Sequence, residues 1–386
     1  MVDTYAMLEA RWEEERRSCP QPIERDDLPV DYEAITPAWL TRVLCAGHPG
    51  AEITKVTLGP TDEGTSSRRR LHLEYNPAGR ATGLPATVFC KSTHTLKSRF
   101  QLALNGFVEG EVRFYNHIQP VLGIESPRPL FANFDPHTFN SIVILEDMGD
   151  AVTFCRHDEP MSRARAESQV RLLAKMHAKY HGSDELTRAF PYLRTWLDTF
   201  TATAENGFED AGARGFGMAE SVIPPRLFAR EAEVWPATVA SAARHEHLPH
   251  SVIHSDVHLK NWYIAASGEM GLNDWQCSCK GHLSRDLSYC ISASLTVEQR
   301  RAWEHDLVAY YVEQMREKGV ANIDFDSVWL AYRAQMFGAL AWWTGTLGQP
   351  PEAPAMQPRD ASLAFIERMT HAIDDLDSLG AVGEYA

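Results

Sequence analysis

Apolar residues recur at strand spacing through the first part of this chain and mostly at helical spacing after it. The segments 53–58 and 69–75 are strand-like, 86–91 alternates as a strand does and ends on a lysine, and 141–148 is a buried-strand run closing on Gly149-Asp150. Within this part lies a helical stretch around 109–115, with Phe107, Phe114, Tyr115 and Ile118 on its apolar positions. Farther on, Val170, Leu173, Met176, His177 and Tyr180 fall on one face and predict a helix over 162–181, with Arg and Lys on its other faces. Helical character then continues, broken by one hairpin signature: Trp262-Tyr-Ile264, a turn at Ser267-Gly-Glu269, and a returning strand over 271–275. Ahead of the sheet, 1–30 is charged and bears Pro20, Pro22 and Pro29, and reads as a helix plus an extended arm. Thr36-Pro37 opens a helix over 37–44, with threonine as cap and proline in the first turn. A second proline-rich stretch, 349–358, reads as a loop between late helices. The expected organisation is a helical extension at 1–44, a mainly antiparallel sheet with one important helix at 45–147, and a mostly helical part at 148–386.

The chemistry concentrates around the hairpin. His254-Ser-Asp-Val-His-Leu-Lys-Asn261 precedes it, and Asn273-Asp274-Trp275 closes it. Phosphoryl transfer from ATP needs a carboxylate to accept the proton of the attacking hydroxyl, and an asparagine and a second aspartate to hold Mg2+. Asp256 and Asn261 keep the Asp-to-Asn step of the kinase catalytic loop, and Asp274-Trp275 stands where its metal-binding Asp-Phe would. This makes Asp256 the candidate base and Asn261 and Asp274 the candidate metal ligands. His254 is expected to brace the loop, and His258 to brace it or to contact phosphate. A plain polar turn and a zinc hydrolase site are rival readings of His-x-Asp-x-His alone. Asn261 and Asp274 favour Mg2+, whose preference is for oxygen ligands.

These residues resemble the aminoglycoside phosphotransferase and choline-kinase-like group of small-molecule kinases, including its ecdysteroid-kinase-like branch. The usual loop there reads His-Gly-Asp-x-His-x-x-Asn, with a later Asp followed by Trp or Phe; Ser255 stands where the family usually has glycine. Ser284-Arg-Asp-Leu-Ser-Tyr289 is similar to the family's Asp-Leu-Ala/Ser-Tyr segment, which gives Asp286 a structural part in bracing the catalytic loop. The resemblance implies an α+β, protein-kinase-like bilobal fold with an antiparallel-sheet N-lobe and a mainly helical C-lobe. It implies ATP and Mg2+ as cofactors and a hydroxyl of a small molecule as acceptor. It also gives Lys91 contact with the phosphates and Glu111 as its helix partner, since 111–115 is similar to the family's αC segment. Gly64 and the amides of 65–67, with Ser66 and Ser67, are the candidate phosphate cover, in a loop over 59–67 that matches neither a G-x-G-x-x-G nor a Walker A pattern. Arg68, Arg69 and Arg70 are expected to help hold phosphate or to form a solvated edge. Glu146 and Met148 lie in a hinge-like Leu-Glu-Asp-Met run, whose backbone would meet the adenine edge. His177, in a segment similar to the family's Leu-x-x-Leu-His, reads as a hydrogen-bonded core histidine.

Composition narrows the partners. At 386 residues the chain is long enough for two packed lobes, and a net charge of −15 argues against nucleic acid, whose phosphates need a basic face. The same acidity disfavours an anionic acceptor and is compatible with a neutral or cationic one. No apolar run is long enough for a membrane span and no secretory leader is recognisable, so a cytoplasmic location is expected. Seven scattered cysteines, with Cys277 and Cys279 close together, read as free thiols. Trp329, Tyr332, Met336, Trp342, Trp343 and Phe365 are expected to be core, or to give an acceptor pocket an apolar wall. The runner-up function is a nucleotide-binding pseudokinase acting as a scaffold or regulator.

Overall fold

A computed structural model describes residues 2–18, 20–103, 106–350 and 356–384, so part of the expected 349–358 loop lies outside the described residues. The chain divides into two compact units, residues 1–121 with 126–150, and residues 122–125 with 151–386.

The first unit is built on a five-stranded antiparallel sheet: β1 (Ile53–Glu63), β2 (Ser67–Tyr75), β3 (Thr87–Ser92), β4 (Pro129–Phe134) and β5 (Ser141–Glu146), in the order β1-β2-β3-β5-β4. Along β2, Leu71, Leu73 and Tyr75 turn inward and His72 and Glu74 outward, the two-residue period a half-buried strand requires. That inner face packs with Val88, Cys90, Ile142 and Ile144 against Trp39, Leu40 and Val43 of the Pro37–Leu44 helix. The helix begins as expected, with the Thr36 hydroxyl accepting from the Trp39 amide at 3.1 Å. The N-terminal helix Val2–Ser18 belongs to this unit: Glu15 pairs with the buried Arg99 and accepts from Asn140, and the Trp12 indole donates to the His94 carbonyl. Two strand expectations need correction. The β1–β2 ladder continues to Glu63 and Ser67 past a register shift after Leu58, so the expected 59–67 loop is a short turn at 64–66. The 141–148 run leaves the ladder at Glu146, before Gly149 adopts φ +48°.

The second unit is mostly helical. The predicted 162–181 helix is seen as Arg163–Ala178, with Ser162 as its cap. A helix at Ser284–Ser294 is buried along its whole length, an internal position that few helices of a domain occupy. Around it lie Val297–Glu317, Met336–Leu347 and Arg359–Asp375. Glu209–Met218 approaches Met336–Leu347 so closely that a Cβ on Gly215 would meet the Thr344 carbonyl oxygen at 1.9 Å, so only glycine fits there. Short strands interrupt the helices: β6 (Thr153–Phe154), β7 (Ser251–Ile253), β8 (Trp262–Ile264), β9 (Met270–Leu272) and β10 (Cys279–Gly281). β8 and β9 form the predicted hairpin, extended by β6, and β10 pairs β7. The returning strand ends at Leu272 rather than 275, because Asp274 takes φ +63°, outside any ladder. Among the described residues, no helix is long and apolar enough to cross a membrane. Among the described residues, six cysteines are free and buried.

Candidate active site

The chain leaves β7 at Ile253 and turns through 254–258 without ladder hydrogen bonds, so other groups must satisfy its buried amides. Asp286, in the first turn of the Ser284–Ser294 helix, does this. Its Oδ2 accepts from the His254 amide at 2.7 Å and its Oδ1 from the Ser255 amide at 2.8 Å. His177 Nε2 lies 3.3 Å from Oδ2, and its other ring nitrogen meets the Tyr311 hydroxyl at 2.8 Å. Burial opposes the charge on Asp286, but the His177 hydrogen bond and charge, with those amides, outweigh it and hold the carboxyl below its ordinary range. Asp286 and His177 thus occupy the bracing and core positions that the sequence assigned them.

Ser255 adopts φ +64°, the left-handed region, which accounts for the family's usual glycine at this place. Its hydroxyl donates to the Cys277 carbonyl at 2.6 Å, and its own carbonyl accepts from Arg285 Nη2 at 2.8 Å. The turn is therefore fastened from both sides. His254 is fixed as the neutral tautomer protonated at Nε2: that nitrogen faces the Asn273 carbonyl at 2.9 Å, and Nδ1 accepts from the Asp256 amide at 3.2 Å. Burial lowers its pKa, so it stays neutral, and its ring stands edge-on to Trp275 with centroids 4.6 Å apart.

Asp256 follows, with 17% of its side chain exposed. Oδ1 accepts from the Tyr289 hydroxyl at 3.1 Å; Oδ2 faces Asn261 Nδ2 at 3.3 Å and His258 Nε2 at 3.5 Å. Burial alone would raise the carboxyl's pKa, but the charge and hydrogen bond of His258, with the Tyr289 hydrogen bond, drive it far below the usual carboxylate range. The His258 ring sits among Trp343, Phe365 and Tyr289, at centroid distances of 5.2, 5.7 and 6.3 Å. Asn261 donates through Nδ2 to the Asp256 carbonyl at 2.8 Å, which fixes its amide and turns its Oδ1 the other way. The Asn261 carbonyl accepts from both the backbone and the side-chain nitrogen of Asn273, each at 2.9 Å. These two bonds bring Asp274, the next residue, back to Asn261. One amide oxygen and one carboxylate are hard donors suited to Mg2+ when phosphates and water complete its shell. Among the described residues, no three His, Cys, Asp or Glu side chains gather to hold a metal.

In the first unit, Lys91 on β3 pairs with Glu111 of the Phe107–Arg113 helix, Nζ to Oε1 at 2.9 Å, with both side chains only 9% exposed. Gly64 lies in the β1–β2 turn, its amide bonded to the Ser66 carbonyl at 3.1 Å. Ser66 and Ser67 are buried, and the Ser67 carbonyl accepts from Tyr32. Arg68, Arg69 and Arg70 are paired with Asp62, Glu33 and Asp147. Glu146 is engaged by Arg128 through two hydrogen bonds, of 2.8 and 2.6 Å, and partly buried Met148 follows two residues after β5.

Sequence reasoning did not anticipate three contacts of the loop: Tyr289 on Asp256, Trp343 on Tyr289 (Nε1 to hydroxyl oxygen, 2.7 Å) and Arg285 on Ser255. Tyr289 stood in the quoted Asp-Leu-Ser-Tyr segment, where its spacing from Asp286 puts it one helical turn farther on the same face. Nothing in the sequence tied Trp343 to the loop. Of the late apolar side chains, Tyr332, Met336, Trp343 and Phe365 are core, while Trp329 and Trp342 are partly buried.

Comparison with known proteins bears on the fold and the family. A candidate aminoglycoside phosphotransferase from Ralstonia eutropha shares the fold at 14% identity and a TM-score of 0.51, covering 88% of this chain and 97% of that one. A choline kinase from Streptococcus pneumoniae (13% identity, TM-score 0.47, 84% and 95% covered) and an ethanolamine kinase from Plasmodium vivax (10%, 0.49, 96% and 94%) are also similar. No curated protein matches the sequence. The model of the phosphotransferase enzyme family matches residues 99–320, a span that includes the whole Asp256 loop, both candidate metal ligands and the Asp286 brace. With its antiparallel-sheet first unit, its helical second unit and that match over more than half its length, the chain belongs to the phosphotransferase enzyme family.

Proposed function

We propose that this protein transfers the γ-phosphoryl group of ATP to a hydroxyl of a small molecule. The observation that supports this most is the environment of Asp256: an ionised carboxylate whose Oδ1 is fixed by Tyr289 and whose Oδ2 is held only at 3.3–3.5 Å. Oδ2 is the oxygen that can take a hydrogen bond from an incoming hydroxyl. As the acceptor oxygen bonds to the γ-phosphorus, the bond from phosphorus to the ADP oxygen breaks and the hydroxyl proton passes to Asp256. A carboxylate of such low basicity suits a loose transition state, in which the proton leaves late and alignment matters more than base strength. Asn261 through Oδ1 and Asp274 through its carboxylate are the groups proposed to hold Mg2+, which neutralises the phosphates when bound. Lys91, positioned by Glu111, is assigned to the α- and β-phosphates. The 64–67 turn, with Gly64, Ser66 and Ser67, is assigned to the phosphate cover through its backbone. Glu146 and Met148 would meet adenine through main-chain groups, in keeping with a Glu146 side chain already engaged by Arg128.

For the acceptor, the net charge of −15 supports a neutral or cationic molecule over an anionic one. The test is ADP release over amino alcohols, aminoglycosides, sterol-like alcohols, simple sugars and sugar phosphates. Asp256→Asn should lower transfer about 10²–10⁴-fold while calorimetry shows Mg-ATP still binding. Asp274→Ala should weaken Mg2+-dependent nucleotide binding. Full transfer by Asp256→Asn would remove this reading of the loop, and activity confined to sugar phosphates would overturn the acceptor class.

A further inference from the structure

We infer that Trp343 and Tyr289 form a directed hydrogen-bond relay that positions Asp256 for transfer, so that a helix outside the family-matched segment sets the geometry of the reacting carboxylate. The inference rests on Asp256 being the group that receives the acceptor's proton.

Donor and acceptor chemistry fixes the direction of the relay. An indole N–H can only donate, so at 2.7 Å the Tyr289 oxygen must accept from Trp343 Nε1. The phenol proton then points elsewhere, and Asp256 Oδ1, an acceptor only, stands 3.1 Å away. Burial and the neighbouring Asp256 charge push the Tyr289 phenol far above its ordinary pKa, so it remains a donor at any working pH. Tyr289 is itself held. It is fully buried, and the Arg285 guanidinium lies over its ring at 4.9 Å.

One helix thus grips the loop three times. Arg285 holds the Ser255 carbonyl, Asp286 the amides of His254 and Ser255, and Tyr289 the Asp256 carboxylate. Arg285 and Asp286 fix the backbone; of the three, Tyr289 is the one that bears on the rotation of the reacting group, with a bond at 3.1 Å against the longer 3.3 and 3.5 Å contacts of Asn261 and His258 on Oδ2. The rotation decides which oxygen is offered. With Oδ1 tied to Tyr289, Oδ2 is left to the acceptor. Trp343 comes from Met336–Leu347, beyond residue 320 where the family match ends. Its indole nitrogen therefore lets the late helices of this chain act on the rate, and not only on the shape of the molecule.

The experiment compares Tyr289→Phe, Trp343→Phe and the double variant with Asp256→Asn, measuring kcat, the KM for Mg-ATP and thermal unfolding. A hydrogen bond to a charged group contributes enough that Tyr289→Phe should lower kcat about 10-fold or more with the nucleotide KM unchanged. Trp343→Phe should lower kcat by a smaller factor, about 3-fold, since the phenol can still donate to Asp256 without its own donor. The double variant should be no slower than Tyr289→Phe alone, because the indole acts only through the phenol. Independent losses that multiply, or single variants with wild-type kcat beside an inactive Asp256→Asn, would overturn the relay and leave the proposed function standing. An active Asp256→Asn would overturn both. If Tyr289→Phe does not fold, Trp343→Phe decides: a lowered kcat at unchanged nucleotide KM supports the relay, and a wild-type kcat ends it.

Discussion

Lys91 and Asp256 are each assigned one end of the same reaction, and they are held in opposite ways. Lys91 stands on a strand whose ladder fixes its backbone on both sides, and Glu111 pairs with its side chain. Asp256 stands in a turn with no ladder, between two non-glycine residues of positive φ, Ser255 and Asp274. Its position depends on Asp286, Arg285, Tyr289, His254 and Asn261 together. Chemistry hung on regular structure starts from a backbone that the sheet has already ordered. Chemistry hung on irregular backbone needs a web of buried side chains, and it fails when one knot of the web is removed.

The strongest way to break the comparison is to cut both arrangements at their main support. Asp286→Ala leaves two buried amides and His177 without their acceptor, so unfolding should ease by on the order of 3–5 kcal/mol and transfer should disappear. Glu111→Gln keeps an amide oxygen for Lys91, so its cost should stay at roughly 1–2 kcal/mol, with the loss falling on transfer and nucleotide affinity. Chemical denaturation of the two variants beside activity assays reads the difference. Equal destabilisation by both would show that strand and loop are supported alike.

Acid separates the two regions by a smaller margin. In the second unit His245 is buried with Nε2 on the Gln335 amide oxygen and Nδ1 accepting from the His282 amide, so it is neutral; the His282 ring packs beside it and the His181 ring beside His282. Arg285, Asp286, His250 and His177 are the other charged or titratable groups facing this cluster. Burial lowers His245 to about 3, His181 to about 4, and His282 well below its ordinary value. In the first unit His94 is held this way, at about 3. The sign follows from proton uptake. Unfolded histidine protonates near pH 6.5 and these native ones do not, so stability is full above about pH 7 and falls as pH drops from about 6.5 towards 4. Each such histidine should remove roughly 1 kcal/mol by pH 6, and the second unit should lose more than the first. Hydrogen exchange read separately over the two units checks this. A first unit that loosens before the second would reverse the contrast.

How much of this was legible in the sequence follows the same division. Side chains to which the proposed chemistry is assigned left a spacing: Asp256 with Asn261, then Asp274, and Lys91 at a strand end before Glu111. Side-chain periodicity placed the strands and the 163–178 helix within a few residues, because burial repeats with the element. The turn at 64–66 was misjudged as a longer loop because Pro60 and Gly59 look like turn residues, while the ladder continues through them past a register shift. Tyr289 and Trp343 lie far apart in sequence, and their partnership is a tertiary fact with no local signature. Positive φ at Asp274 was hidden for a related reason: a strand-like run of Gly271, Leu272 and Trp275 gives no sign that the backbone reverses hand between them.

The finest test concerns the one place where the loop departs from its family's usual residue. At φ +64° a serine carries strain of about 1 kcal/mol, which glycine would relieve. Ser255 recovers a comparable amount through its hydroxyl, bonded at 2.6 Å to the Cys277 carbonyl in the turn just after Asp274. Glycine would also add freedom to the unfolded chain, roughly 0.5–1 kcal/mol against the fold. These terms nearly cancel, so Ser255→Gly should change unfolding by less than about 1 kcal/mol. Its effect should fall instead on the coupling between the two turns, which loses one of its ties when the hydroxyl bond is gone and keeps those through Asn273 and the His254–Trp275 ring contact. Mg2+ titration of nucleotide binding should therefore show a weaker dependence on metal, by about 2- to 5-fold, at unchanged stability. Ser255→Ala sharpens the reading, since it keeps the strain and removes the bond. It should be less stable than both wild type and Ser255→Gly, and should share the weakened metal dependence. A Ser255→Ala as stable as wild type, with unaltered Mg2+ dependence, would mean the hydroxyl contributes nothing to joining the carboxylate assigned to the acceptor to the one assigned to the metal.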